Sequence, residues 1–191
     1  MKKIDIYDFD GTIYNGDSTV DYLLFCISKH PSLILLIFPI IVYAIRLMFT
    51  RDLTVFKSQL FSAFAKRVDL ETMGRLFWEQ PGTRKKINEY IYHRKKDLPV
   101  VIASASPDFQ LRWAGTFLGI DQVICTTCDP KTGKLIGKNC KSSEKIRKIE
   151  NAYGPFSVRA MYTDNPKADG PLLELAEEKY LVTNGTVTQI S

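Results

Sequence analysis

Two aspartates, Asp8 and Asp10, stand in the run Asp8-Phe9-Asp10-Gly11-Thr12, directly after the apolar-rich stretch Ile4-Asp5-Ile6-Tyr7. A carboxylate is a competent in-line nucleophile at phosphorus once a cation neutralises the phosphoryl oxygens, so Asp8 is placed to attack and form an aspartyl-phosphate. Asp10 can protonate the leaving alcohol and then activate water, the work of a general acid and base. Gly11 lets the chain turn sharply, and Thr12 offers a hydroxyl to the same pocket. The pair alone does not decide, because surface turns and calcium loops also use Asp-x-Asp.

Further residues extend the pattern. Ser104 follows the apolar run 100–103. Its hydroxyl and the N–H of Ala105 could hold a phosphoryl oxygen, although Ser106-Pro107 also reads as a helix start that would make Ser104 an ordinary cap. Lys145 lies early in the helical pattern 142–153, where it could set positive charge between Asp8 and a phosphate; a lysine there is more often simply solvated. Asp164 ends another strand-like run, and Asp169 follows it. A hard divalent cation, Mg²⁺ above all, takes carboxylate and carbonyl oxygens while keeping several waters. Asp8, the main-chain carbonyl of Asp10 and Asp164 form such a set, with Asp169 behind it to fix a bound water or the lysine.

These residues need elements to hold them. Strand signals fall at 4–7, 99–103, 123–126, 158–163 and 180–183, with a polar hairpin-like stretch at 129–133. Helical patterns fall at 83–94, 108–118, 142–153 and 171–179. Their alternation predicts an α/β fold, a Rossmann-like open and mostly parallel sheet with helices on both faces. Ligands bind beyond the carboxyl ends of such strands. Asp8, Ser104 and Asp164 all fall at such ends.

Residues 15–80 break the alternation with helical patterns at 17–28, 33–49, 53–67 and 70–79. The chain therefore divides into a catalytic core, 1–14 and 81–191, and an all-helical cap, 15–80, inserted after the first strand to exclude water and select the leaving group. Segment 33–49 has Arg46 as its one charged residue. As a single helix it is about 25 Å long, short for a bilayer span. Pro39 and Arg46 also argue against a simple span, which would split the sheet across the membrane. The remaining readings are a buried cap helix, a helix dipping into one leaflet with Arg46, Arg51 and Lys57 near headgroups, or an apolar dimer contact.

The whole set resembles the haloacid dehalogenase-like (HAD) superfamily, in particular its phosphatases with a helical cap after the first strand. Asp8-Phe9-Asp10-Gly11-Thr12 matches the first motif, Ser104 the second, Lys145 the third, and the run Tyr162-Thr163-Asp164-Asn165-Pro166-Lys167-Ala168-Asp169 the fourth. The resemblance implies an HAD-like core. Dehalogenases and cation-pumping ATPases of the superfamily lack the second aspartate, so Asp10 implies a phosphatase. Two details depart from the common pattern: Thr163 stands where glycine is frequent, and the two acids of the last motif are more widely spaced than usual. Lys141 is a nearby rival to Lys145. The cap resembles both phosphoserine phosphatase-like members and bacterial phosphatidylglycerophosphate phosphatases, and the apolar segment favours the latter. The resulting expectation is a Mg²⁺-dependent phosphomonoester phosphatase acting on phosphatidylglycerophosphate or another amphiphilic phosphate. The alternatives are a soluble phosphoserine-like or small-metabolite phosphatase and a non-enzymatic, phosphate-dependent interaction module.

Composition sets the outer bounds. With 191 residues, 45% apolar and 12% aromatic, the chain can build a packed core, which excludes global disorder. The formal charge of +5 is modest. The clusters at 84–86, 94–96 and 131–145 read chiefly as solvated faces, and without stacking aromatics or a reading helix they do not predict nucleic-acid binding. A peripheral contact of the cap with an anionic membrane remains the one macromolecular contact suggested. Cys125, Cys128 and Cys140 could give a zinc ion three thiolates but no fourth ligand. Met1-Lys2-Lys3 runs straight into the first strand, unlike a secretory leader, which predicts a cytoplasmic site, at the inner face of the cell membrane if the cap meets lipid.

Overall fold

The computed structural model describes residues 1–120 and 122–191. One six-stranded sheet runs through it, built from β1 (Lys2–Tyr7), β2 (Val100–Pro107), β3 (Gln122–Thr126), β4 (Phe156–Thr163), β5 (Ala176–Thr183) and β6 (Thr186–Ile190) in the order β3-β2-β1-β4-β5-β6. The first five strands are parallel, and β6 turns back antiparallel along β5. The order reverses beside β1, with later strands added on both of its sides. This is the switch point at which open α/β sheets bind ligands, and it lies at the ends of β1 and β4.

Side-chain alternation builds the two layers. Ile4 and Ile6 of β1 join Val101 and Ala103 of β2 on one face, against Ile149 of α7 (Ser143–Tyr153) and Leu172 of α8 (Gly170–Leu173). Tyr7 and Ile102 point the other way, into a larger cluster with Tyr22, Phe61, Phe77 and Phe109. The alternation of strand and helix thus yields the expected α/β sheet covered on both faces.

Between β1 and β2 the chain forms α1 (Ser18–Lys29), a 3₁₀ segment (Pro31–Leu36), α2 (Ile37–Thr50), α3 (Leu53–Ala65) and α4 (Leu70–Glu79). Asp17, Asp52 and Asp69 cap α1, α3 and α4 by accepting backbone N–H groups of their first turns. The helix α4 lies on α6 (Asp108–Leu118), with Arg112 paired to Glu71 at 2.9 Å.

A small hairpin, bridged at Cys128 and Leu135, clasps α3. The Leu135 N–H donates to Ser58 Oγ at 3.2 Å. Gly133, at φ +69°, approaches so closely that a Cβ would lie 2.2 Å from the carbonyl carbon of Phe61. Gly133→Ala is therefore expected to destabilise the fold by about 3 kcal/mol in a denaturant titration, since both the backbone angle and the contact must give way.

Three parts differ from the sequence reading. Residues 33–49 are not one helix: Pro39 falls in the first turn of α2, where a proline is tolerated, and the chain before it tightens into the 3₁₀ segment. Nor is this region buried. The most apolar stretch of Pro31–Thr50 is 11% buried, and Phe38, Ile41, Val42, Ile45, Met48 and Phe49 are exposed. It is long and apolar enough to cross a membrane, by length and composition. Only a narrow stripe including Leu36 and Ile40 meets the core.

Residues 83–94 give only a turn, α5 (Pro81–Arg84), and a 3₁₀ segment (Glu89–His93). Tertiary bonds win over the helical spacing here: the Asn88 side chain donates to the Thr12 carbonyl at 2.6 Å, and Ile87 bridges Tyr14. Residues 171–179 likewise hold one turn of helix before Ala176 pairs with Val158 and begins β5.

Candidate active site

The end of β1 delivers Asp8, whose N–H donates to the Tyr162 carbonyl of β4 at 2.9 Å and so ties the two strand ends together. Around a cavity of ≈ 210 Å³ at this point stand Asp8, Asp10, Ser104, Ala105, Lys145, Asp164 and Asp169. Ser104 lies in β2, and its Oγ accepts the N–H of Ser106 at 3.1 Å. Lys145 rises from the first turn of α7, buried, and its Nζ donates to Asp8 Oδ1 at 2.8 Å and to Asp169 Oδ1 at 2.7 Å. Lys141 stays exposed at the rim, so Lys145 is the lysine beside Asp8.

Thr163, the departure from the common glycine, has a visible use. Its hydroxyl donates to Asp169 Oδ2 at 2.8 Å and accepts the Asn165 N–H at 3.0 Å, which fixes Asp169 against the lysine. Asp164 reaches the loop of the first two aspartates because residue 11 is glycine. A Cβ on Gly11 would lie 2.3 Å from Asp164 Oδ2, and its φ of +73° is itself unfavourable to a side chain.

Asp10 is held from two sides. Oδ1 accepts the Ser18 N–H at the start of α1, 2.6 Å away, and Oδ2 accepts the Ser106 hydroxyl at 2.5 Å. Ser106 in turn lies 2.9 Å from the Thr19 hydroxyl. Neither Ser106 nor Thr19 entered the sequence-predicted set. The period of two along a strand was the available signal, because Ser104 and Ser106 share a side of β2.

Burial dominates the electrostatics. It pushes the carboxyl groups of Asp8, Asp10 and Asp164 above the usual carboxylate range; Lys145 opposes the rise at Asp8, and the Ser106 and Ser18 donors oppose it at Asp10. Burial pulls Lys145 down, yet the carboxylates of Asp8 and Asp169 outweigh it and hold the ammonium above its ordinary value. A partly buried carboxylate facing a buried ammonium, with a second carboxyl lining the same cavity, is equipped for nucleophilic attack with acid–base assistance.

Thr12 stands apart from the others. The turn at Gly11 sends its side chain into the core, where it is fully buried, and its hydroxyl has no hydrogen-bond partner among the described residues. Its carbonyl, taken by Asn88 and Tyr90, is what it contributes. A residue that the sequence left at the periphery does reach the cavity: Lys57 of α3, with Asn139 beside it. Cys125, Cys128 and Cys140 are buried free thiols, and burial pushes Cys140 up to about 11.

Two solved structures share this architecture. A protein with unknown function from Bordetella pertussis Tohama I aligns with a TM-score of 0.71 at 13% identity, covering 94% of this chain and 89% of that one. A phosphoserine phosphohydrolase-like protein from Francisella tularensis subsp. tularensis SCHU S4 aligns with a TM-score of 0.55 at 19% identity, covering 94% and 86%. At these identities the likeness is one of fold. Among curated proteins, Protein CicA of Caulobacter vibrioides, from strains NA1000 / CB15N and ATCC 19089 / CIP 103742 / CB 15, is 33% identical over 92 residues. That match takes in 45% of this chain and 41% of the relative, so the chain spans about two fifths of the length of the curated relatives it matches. The family model described as haloacid dehalogenase-like hydrolase matches residues 6–174, from the end of β1 through α8 and with every acid of the cavity, and the chain belongs to that hydrolase family.

Proposed function

We propose that this hydrolase is a Mg²⁺-dependent phosphomonoester phosphatase that works through an aspartyl-phosphate on Asp8 and acts on an amphiphilic phosphate such as phosphatidylglycerophosphate. The observation that carries the chemistry is the contact of Asp8 Oδ1 with Lys145 Nζ at 2.8 Å, in one cavity with Asp10 and Asp164 at the switch point of the sheet. Lys145 draws the anionic phosphoryl group toward Asp8, and the free carboxylate oxygen of Asp8 attacks phosphorus. Ser104 Oγ and the Ala105 N–H hold the phosphoryl oxygens as charge moves onto them. Burial raises the Asp10 carboxyl above the usual carboxylate range. In its protonated form it gives its proton to the departing alkoxide, and as the carboxylate it then takes one from the water that cleaves the acyl phosphate.

The donor set fits Mg²⁺. Asp8, Asp164 and the Asp10 carbonyl are hard oxygens, and the close fit of Asp164 against Gly11 brings its carboxylate to the same loop. Among the described residues no three His, Cys, Asp or Glu side chains gather as a ligand cluster. Two carboxylates and a carbonyl are the smaller protein share that Mg²⁺ accepts, with water completing its shell. Bound there, the ion would neutralise phosphoryl oxygens, with Asp169 supporting the site through Lys145.

The exposed apolar helix supports the amphiphilic reading. Between Asp21 and Asp52 the chain has no acidic residue, while Lys29, Arg46 and Arg51 are basic. An apolar surface with basic edges suits peripheral insertion into an anionic leaflet, with the core on the cytoplasmic side. The helices of 15–80 would then serve as both cap and membrane contact. The test is Mg²⁺-dependent phosphate release from phosphatidylglycerophosphate in mixed micelles, from phosphoserine and from glycerol phosphate. Preference for the lipid is expected. A preference for phosphoserine would establish the soluble alternative, and no release from any monoester would overturn the phosphatase reading.

Ser106 acts through Asp10. Ser106→Ala is expected to lower kcat on alkyl phosphates by about tenfold to a hundredfold, within the range that acid–base assistance supplies. Losing a donor to the ionised carboxylate raises the Asp10 pKa, so the alkaline limb of the kcat–pH profile should move to higher pH. An unmoved limb would assign Ser106 a structural role.

A further inference from the structure

Lys57 is an unexplained cation at the catalytic cavity. It projects from α3, partly buried, and its Nζ donates to the Ala105 carbonyl at 2.8 Å and to Asn139 Oδ1 at 3.3 Å. Among the described residues no carboxylate forms an ion pair with it. Both of its acceptors are neutral, and an ammonium has three donors. A partly buried ammonium hydrogen-bonded only to neutral groups is poorly compensated: burial pulls its pKa down, and the carboxylates of Asp10 and Asp17, which make no ion pair with it, oppose that only in part. Where Lys145 is neutralised by Asp8 and Asp169, Lys57 has its charge in reserve for a ligand.

Its surroundings hold it in place. Thr126 Oγ1 lies 2.8 Å from the Ala105 carbonyl and 3.0 Å from Asn139 Oδ1, and it accepts the Cys140 N–H at 2.9 Å. The same carbonyl and amide oxygen that receive Lys57 are thus tied to the core strand β3. The Asn139 N–H reaches Thr54 Oγ1, one turn earlier on α3, at 3.4 Å. The ammonium is therefore set beside Ala105, in the lining of the same cavity as Asp8 and Lys145.

We propose that Lys57 is the phosphate ligand contributed by the inserted helices: its remaining N–H donates to a non-bridging oxygen of the phosphoryl group, so that an occupied site also holds α3 against the core. This rests on the phosphatase reading for its ligand class. It adds a contact that none of the four sequence motifs contains.

The test uses inorganic orthophosphate as the probe, with the full chain in saturating Mg²⁺, and reads its dissociation constant by calorimetry. A charge-assisted hydrogen bond lost in Lys57→Gln should weaken orthophosphate binding about tenfold or more. Thr54→Ala, which loosens the same helix without touching the ligand, should leave that affinity within about twofold. Hydrogen exchange along α3 gives the second readout, and orthophosphate should slow it in the wild type and not in Lys57→Gln. If Lys57→Gln binds orthophosphate as the wild type does, or if both variants lose affinity equally, Lys57 is a latch and the proposal fails. It fails too if the wild type binds no orthophosphate. A protein that binds orthophosphate through Lys57 but releases none from any monoester would overturn the phosphatase reading alone.

Discussion

Asp8→Asn is expected to remove turnover of an aryl phosphate by about 10⁴-fold or more, the scale on which loss of a covalent nucleophile acts. The amide keeps the size of the side chain and can still meet Lys145, so the fold should survive, but it cannot form the acyl phosphate. Rapid-quench phosphate release from the variant gives the number, and turnover within tenfold of wild type would remove Asp8 from the nucleophile's role. A second readout comes from the same substitution. Burial raises the folded-state pKa of Asp8 from 3.8 to about 7, so in chelator the folded protein holds a proton that the unfolded chain has already lost. Asp8's contribution to stability is therefore present in full below about pH 4 and is lost as pH rises through about 7. The variant should lack this component of the pH dependence, and Mg²⁺ should offset the loss in the wild type only.

The second large effect concerns α2. Replacing Phe38, Ile41 and Val42 together by Asp is expected to reduce partitioning onto phosphatidylglycerol-containing vesicles by at least about 10³-fold, since each apolar side chain removed from contact forfeits roughly 1.5 kcal/mol or more. Hydrolysis of a soluble aryl phosphate should change little, because none of the three lines the cavity. These side chains are exposed, at 70%, 51% and 61%, so the fold has little to lose from the change. Vesicle sedimentation measures the partitioning. A wild-type protein indifferent to anionic vesicles would remove the membrane from the account and leave a soluble substrate as the better reading.

The parts of the fold that the sequence made legible are those where local pattern and tertiary demand agree. The strand ends at Asp8 and Asp164 could be read because parallel core strands are short apolar runs that stop at polar residues. Residues 83–94 could not, because Ile87 and Ile91 have the spacing of a helix face while Asn88 is claimed by the Thr12 carbonyl, a partner distant in sequence. β6 went unseen for a related reason. Thr186–Ile190 has no buried residue and no apolar run, and it is a strand because β5 offers it an edge.

Within the site, the groups carried by the motifs were accessible because their types name their chemistry. Ser106, Thr19 and Lys57 were not, because a serine, a threonine and a lysine acquire meaning only from what they touch. Thr12 shows the converse: its type fitted the pocket, and its backbone turned it into the core.

Leu53 is the first residue of α3, follows directly on the turn after α2, and is both exposed and part of the catalytic cavity's lining. The apolar helix and the rim of the cavity are therefore joined by the two-residue turn Arg51-Asp52 alone. For an enzyme anchored through α2, encounter with substrate becomes a two-dimensional search within the leaflet. Its rate would follow the mole fraction of phosphomonoester in the surface, not its amount per volume of solution. Diluting the substrate with neutral lipid at constant bulk concentration would slow such an enzyme, whereas adding buffer would not.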